Sequence, residues 1–290
     1  PDVNLGVGSG THSQQTGNLL TAIETEINST RPALLVVYGD INSTLAAALV
    51  ASKLGIPLAH VEAGLRSFDR TMPEEINRVV TDQLSDLLFT TSPEAADNLS
   101  REGIHEDKIH FVGNPMIDTL LNHKDKLNPR AVLQRFGFEG DYAVATLHRP
   151  ANVDDPANAA ELVTALQKAS RIIPVVLPLH PRGRASLSDQ GLNELERVTV
   201  IDPLGYIDFL SMVSSARAVI TDSGGLQEET TMLGIPCLTM RPNTERPITV
   251  TKGTNRLVSP SNLSEFLCGV LSGQFGSPNQ QPPLWDGKAG

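Results

Sequence analysis

Short runs that are apolar at every position recur along this chain, each ending in polar residues and followed by a longer helical pattern, and that rhythm limits the fold more than any other feature. Residues 34–38, 57–61, 87–90 and 109–112 read as strands of a first series. Continuous apolar runs of this length belong to parallel strands covered on both faces. Helical stretches fall between them at 42–54, 74–84 and 93–102. Asn42 or Ser43 is placed to N-cap the first, and Ser92 with Pro93 opens the third. From about residue 141 the rhythm restarts. Residues 142–147, 173–177, 198–201, 218–221 and 236–240 read as strands, and 157–170, 206–215, 226–233 and 263–271 as helices. The stretch 127–140, with Asn128-Pro129, Gly137 and Gly140 as punctuation, reads as the join. The expected fold class is therefore α/β, with two Rossmann-like doubly wound domains spanning residues 1–135 and 136–290.

Composition removes several functions. Aromatic residues make up 4% of the chain, too few for a platform that stacks single-stranded bases. Basic residues number 23 against 33 acidic ones, for a net charge of −10, so the average surface repels a nucleic-acid backbone. An anionic small ligand must be met by a local pocket of positive charge. Cys237 and Cys268 are far apart and show no metal-ligand spacing, so no zinc site or disulfide framework is expected, and none of the motifs calls for a metal. No apolar run reaches the ~18 residues of a membrane helix, and no membrane partner is expected.

Chemistry in a doubly wound fold gathers beyond the carboxyl ends of strands, and three acidic groups fall there. Asp40 follows the first strand, Glu62 ends the second in His60-Val61-Glu62-Ala63-Gly64-Leu65-Arg66, and Glu74 and Glu75 occupy the first turn of a helix. Each has a plain structural explanation as a helix cap or a partner for a helix dipole. Together they form an acidic rim able to divide general acid and base work. The second series supplies cations and amides: His148-Arg149 after one strand, His180-Pro181-Arg182 after the next, and Thr221-Asp222-Ser223-Gly224-Gly225-Leu226-Gln227-Glu228-Glu229. In the last segment a strand runs through Ser-Gly-Gly into a helix. Free N–H groups at such a start hold a diphosphate, and Glu229, one turn in, is placed to accept from ribose hydroxyls. The segment fits neither the P-loop nor the dinucleotide pattern.

Gly39-Asp40, the His60–Arg66 segment, Pro73-Glu74-Glu75-Ile76-Asn77-Arg78, Gly113-Asn114-Pro115, His148-Arg149, the Asp222–Glu229 segment and Thr244-Glu245-Arg246-Pro247 occur in an order and spacing that resemble the non-hydrolysing UDP-N-acetylglucosamine 2-epimerase family. The resemblance implies a GT-B arrangement with an interdomain cleft. It implies a cytoplasmic homodimeric isomerase of polysaccharide biosynthesis that needs no cofactor and interconverts UDP-N-acetylglucosamine and UDP-N-acetylmannosamine. It further implies elimination of UDP to a 2-acetamidoglucal and re-addition on the other face. Asp40, Glu62, Glu74 and His180 match catalytic positions. His148, Arg149, Arg182, Ser223, Gly224, Gly225, Glu229 and Arg246 match substrate-binding ones. Gln14, Gln15 and Arg66 resemble a region where some bacterial members bind an activating second substrate molecule.

The chain opens at Pro1-Asp2-Val3-Asn4, which reads as part of a strand, and both ends look shortened relative to that family. An opening βαβ unit of roughly 30 residues and a closing helix are expected elsewhere, and the chain as written is expected to be poorly stable and weakly active. The alternatives are a hydrolysing epimerase releasing UDP and N-acetylmannosamine, a GT-B glycosyltransferase, and a nucleotide-sugar sensor without activity.

Overall fold

The computed structural model describes residues 2–179, 181–274 and 281–290; the side chains of residues 150, 151, 181 and 182 are outside the description. The chain divides into two compact units. The first comprises Pro1–Pro115 with Pro283–Gly290, and the second comprises Met116–Pro282. No helix among the described residues is long and apolar enough to cross a membrane.

In the first unit the order is α1 (His12–Thr30), β1 (Leu35–Tyr38), α2 (Asn42–Leu54), β2 (Leu58–Ala63), α3 (Pro73–Leu84), β3 (Leu87–Thr90), α4 (Pro93–Arg101) and β4 (Ile109–Phe111). The strands pair in parallel in the order β1-β2-β3-β4. Leu19, Ile23 and Ile27 of α1 pack with the alanine-rich face of α2 over Val37 and Leu58. β1 departs from the expectation of burial on both faces: Val37 is buried, whereas Val36 and Tyr38 are exposed. It is the edge of this sheet, and α1 and α2 cover one side of it. Residues 2–11 form no strand, contrary to the reading of the chain's opening. Nor do Asn42 or Ser43 cap α2: the N-cap is Ile41, without a side-chain bond.

The returning segment belongs to the first unit because Trp285 is buried there. Its indole N–H donates to the Thr91 carbonyl at 2.9 Å. Gly113, at φ +98°, lies so close to the Leu284 carbonyl that a Cβ has no room.

The second unit runs α5 (Pro115–His123, of which Pro115 belongs to the first unit), α6 (Pro129–Phe136), β5 (Ala143–Thr146), α7 (Pro150–Val153), α8 (Pro156–Ile172), β6 (Val175–Pro178), α9 (Pro181–Ser188), β7 (Val198–Ile201), α10 (Tyr206–Ser214), β8 (Ala218–Thr221), α11 (Gly224–Leu233), β9 (Cys237–Met240), α12 (Ile248–Thr251), β10 (Asn255–Val258) and α13 (Leu263–Leu271). The sheet is parallel throughout, in the order β10-β9-β8-β5-β6-β7. Successive strand residues face opposite layers, as a pleat requires. Ala143, Ala145, Val175, Leu177 and Ile220 pack toward α8, α9 and α13; Val144, Val176 and Val219 pack toward α6, α10 and α11. The stretch read as the join is thus part of this core. Asn128 caps α6 with its side chain, Pro129 occupies the first turn and Gly137 closes the helix in the left-handed region. Residues that punctuate a linker here terminate a helix.

Candidate active site

Each unit presents its candidate residues at the carboxyl end of its parallel sheet. In the first, Asp40 lies just past β1, Glu62 is at the end of β2, and Glu74 is in the first turn of α3. β1 and β2 pair in register, Tyr38 opposite Val61, which sets the Asp40 turn beside Glu62. The pairing of β2 with β3 shifts between Val61 and Ala63, and Glu62 is the residue at this bulge, with φ +71°. A non-glycine residue in that region carries strain, and strain persists where its surroundings over-determine it.

The Asp40 turn is pinned at nearly every polar atom. Gly39, at φ +64°, donates its N–H to the Val61 carbonyl at 3.1 Å. Its carbonyl lies 2.8 Å from His60 Nε2, and the Tyr38 carbonyl accepts the Thr44 hydroxyl at 2.8 Å. α3 leans on the same turn. Asn77 Nδ2 donates to the Asp40 carbonyl at 2.8 Å, and Arg78 Nη1 reaches the Asp40 carboxylate at 2.5 Å. Arg78 also bonds Glu75 at 2.6 Å. Burial alone raises the Glu75 carboxyl, but Arg78 and the Ser67 N–H and hydroxyl outweigh it, and the group lies below the ordinary range. Glu75 therefore holds the loop after β2, while Glu74, half-buried on the face shared with Asn77 and Arg78, has no such duty.

Arg66, placed by resemblance in an effector region, is engaged by two carboxylates. Its side chain is buried, with Nη1 2.7 Å from Asp82 and Nη2 2.6 Å from Glu102. Burial opposes its charge, yet Glu102 and Asp82 prevail and raise its pKa. Gln14 completes a capping box with Thr11, and Gln15 Oε1 accepts from Asn42 Nδ2 at 2.7 Å. The structure does not bring Arg66 together with these glutamines; Gln15 instead joins, through Asn42 and Asn77, the Asp40 turn.

In the second unit the strand order reverses direction between β5 and β8, which is where an open α/β sheet leaves a crevice. The loops after those two strands are tied by Asp222. Its fully buried carboxylate accepts from the N–H groups of His148 and Arg149 and from Asn152 Nδ2, at 3.1, 3.0 and 2.9 Å. Burial raises its pKa, but the His148 ring at 3.0 Å and these N–H groups bring it below the ordinary value. Arg149 Nε in turn donates to the Asp222 carbonyl at 3.0 Å. Ser223, Gly224 and Gly225 follow at the start of α11, partly exposed and with no side-chain cap on the helix. A Cβ on Gly224 would meet Arg246 Nη1 at 2.6 Å, so that position carries the guanidinium up to the helix start. Arg246 is held by Glu245 at 2.5 Å and Glu228 at 3.0 Å, and Arg241 grips the other Glu245 oxygen at 2.7 Å. Glu245 is buried, which opposes ionisation, but Arg246 and Arg241 keep its pKa far below the usual range. Glu229 sits deeper in α11. Burial raises its pKa to about 7, and the hydrogen bond from Tyr206 offsets only part of that.

His180 lies outside the described residues, and for Arg182 only the backbone, within α9, is described. Among the described residues no group of three His, Cys, Asp or Glu is arranged to hold a metal.

Several supporting residues escaped the sequence reading. Gln227 Nε2 donates to the Ser223 carbonyl at 3.0 Å, and its Oε1 accepts from Thr244 and Asn255 at 2.7 and 2.9 Å. Asn255 also accepts from Thr239 and donates to Thr249. One signal was present: His60 is a polar residue inside an apolar strand run. A polar side chain there needs a partner.

The family model described as UDP-N-acetylglucosamine 2-epimerase matches residues 1–290. The UDP-N-acetylglucosamine 2-epimerase of Methanocaldococcus jannaschii is 42% identical over 300 residues, covering 100% of this chain and 82% of that protein. The UDP-2,3-diacetamido-2,3-dideoxy-D-glucuronate 2-epimerase of Pseudomonas aeruginosa is 47% identical over 262 residues, covering 89% and 72%. Among solved structures, the Methanocaldococcus jannaschii UDP-GlcNAc 2-epimerase in complex with UDP-GlcNAc and UDP matches with a TM-score of 0.90 and 43% identity, over 100% of this chain and 82% of that one. The Neisseria meningitidis UDP-GlcNAc 2-epimerase bound to UDP-GlcNAc matches with a TM-score of 0.87 and 29% identity, over 95% and 78%.

Proposed function

The chain belongs to the UDP-N-acetylglucosamine 2-epimerase family, and on that footing we propose that it interconverts UDP-N-acetylglucosamine and UDP-N-acetylmannosamine without releasing free sugar. The C2 proton of the sugar is not acidic while UDP is attached. As the C1–O bond breaks, UDP leaves with the electron pair, C1 gains oxocarbenium character and the C2 proton becomes removable. A carboxylate takes it and a C1=C2 double bond forms, giving 2-acetamidoglucal and UDP. Delivery of a proton to the opposite face of C2 and attack of the UDP oxygen on C1 complete the inversion. Catalysis thus needs an anion site for the leaving diphosphate and acids placed for proton transfer.

In this reading the second unit holds the nucleotide. The start of α11 at Ser223, Gly224 and Gly225, with Arg246 beside it, takes the diphosphate; Glu229 takes the ribose; and His148, Arg149 and Arg182 contribute further contacts. His180 assists departure of UDP. Asp40, Glu62 and Glu74 share the proton transfers and the stabilisation of positive charge at C1. The observation that carries the reading is the acidic rim itself: one carboxylate on a turn pinned at nearly every polar atom and a second residue held at φ +71°, on adjacent strand ends. A binding protein has no need to hold two acids so rigidly.

Turnover of UDP-N-acetylglucosamine in D2O tests it. Deuterium at C2 of a product still joined to UDP supports elimination and re-addition. Free N-acetylmannosamine with UDP supports the hydrolysing alternative, and a UDP-linked product without deuterium overturns the mechanism. The 47% identity to the diacetamido-glucuronate epimerase favours a second reading of the substrate, with the same chemistry at C2. Parallel kcat/KM measurements on that UDP-sugar and on UDP-N-acetylglucosamine decide between them.

A further inference from the structure

His60 is fully buried on β2, and both of its ring nitrogens face oxygen. Nε2 lies 2.8 Å from the Gly39 carbonyl, which can only accept, so Nε2 carries a hydrogen. Nδ1 lies 2.6 Å from Asp82 Oδ1. The other Asp82 oxygen already receives the Gly64 N–H at 3.1 Å and sits 2.7 Å from the Arg66 guanidinium. Asp82 thus ties the other side of the ring to α3 and to Arg66, whose second terminal guanidinium nitrogen meets Glu102.

We propose that His60 is a positioning residue for Asp40: a buried ring that spans from the Asp82 carboxyl group to the Gly39 carbonyl and fixes the turn on which Asp40 rides. Gly39 sits at φ +64°, so its peptide is free to rotate unless something holds the carbonyl. Asn77 and Arg78 hold Asp40 from the α3 side, while His60 is the partner on the strand side. Asp82 carries the same element in two directions, since it also fixes Gly64, two residues after Glu62. One buried carboxylate therefore sets the backbone beside both acids. The proposal rests on the reading of Asp40 as a proton-transfer group.

Two substitutions separate positioning from simple core filling. His60→Gln places an amide N–H near the site of Nε2 and keeps the donor to the Gly39 carbonyl. His60→Asn places its N–H near Nδ1, keeps the Asp82 bond and drops the carbonyl. The expected result is a fall in kcat of about ten- to a hundredfold for His60→Asn with KM within about threefold of wild type, and substantial rescue in His60→Gln. Equal kcat in the two variants, or a lower value in His60→Gln, overturns the proposal. Asp40→Asn is the companion: wild-type kcat in that variant sinks the reading of Asp40, not the geometry of the strut. The strut itself is read without turnover, in the long-range 1H–15N spectrum of the histidine rings: a hydrogen on Nε2 of the His60 ring is expected, in a signal that disappears in His60→Asn, and an Nε2 without a hydrogen overturns it.

Discussion

The Asp40 turn of the first unit and the Ser223 helix start of the second are both held by buried polar groups, but the holding chemistry differs. Around Asp40 the partners are mainly charged: Arg78 bridges Asp40 and Glu75, and Asp82 bridges His60 and Arg66. Behind Ser223 the network is neutral, built from Gln227, Asn255, Thr239, Thr244 and Thr249. The difference fits the two tasks proposed for them. A group that exchanges protons is tuned by neighbouring charges, whereas a cradle for a diphosphate must present the same N–H directions whatever its ligand's charge. Ion pairs near the cradle, Arg246 with Glu245 and Glu228, stand on its flank and not behind it.

The largest effect expected from that division is catalytic. Asp40→Asn and Glu62→Gln should each lower kcat by about 10²–10⁴-fold, the usual range for loss of a general acid or base. UDP affinity, measured by calorimetry, should stay within about threefold, because the groups proposed to bind the nucleotide lie in the second unit. A UDP affinity that falls in proportion to kcat would break the assignment of separate tasks.

Next comes the neutral network. Asn255→Ala strands buried donors and acceptors on Gln227, Thr239 and Thr249, and should cost about 2–4 kcal/mol of unfolding free energy. Since no member titrates near neutrality, the loss should be the same at pH 6 and pH 9. A loss that changes by more than about 1 kcal/mol across that range would show that the network is coupled to a charge.

These supports also mark where the sequence stopped being readable. Strand and helix succession was legible because apolar runs and helical stretches carry their own periodicity, and the acids and the Ser-Gly-Gly turn were legible because they sit at strand ends. His60 and Asp82, 22 positions apart, and Gln227 and Asn255, 28 apart, meet only once the strands have paired. No spacing rule announces such partners. Asn128, Pro129 and Gly137 misled for a different reason: the same residue types end helices and build linkers. The burial of Arg66 was illegible too, because an exposed and a buried arginine are the same letter in a sequence.

Glu229 gives a smaller effect with a definite sign. Its folded pKa, about 7, lies above the 4.5 of the unfolded chain. Between those values the folded state binds more protons, so this group's contribution is fully present below about pH 4.5 and is lost as pH rises through 7. The loss is on the order of 3 kcal/mol. Glu229→Gln should remove this slope and exceed wild type in stability at pH 8, as measured by urea unfolding. Saturating UDP should flatten the wild-type slope too, because the proposed contact with ribose hydroxyls favours the ionised carboxylate. An unchanged slope in the variant would place the titration elsewhere.

The smallest expected effect concerns the backbone at Glu62. A left-handed conformation costs an L-residue about 1–2 kcal/mol, and glycine adopts it freely at some cost in chain entropy. Glu62→Gly and Glu62→Ala both delete the carboxylate, so both should be inactive, but only glycine relieves the strain at φ +71°. Glu62→Gly should therefore be more stable than Glu62→Ala by about 1 kcal/mol in chemical unfolding. Equal stability would mean that the bulge holds no strain. The first unit would then fix its acids by hydrogen bonds and ion pairs without stored strain, and its contrast with the second would be one of partner type only.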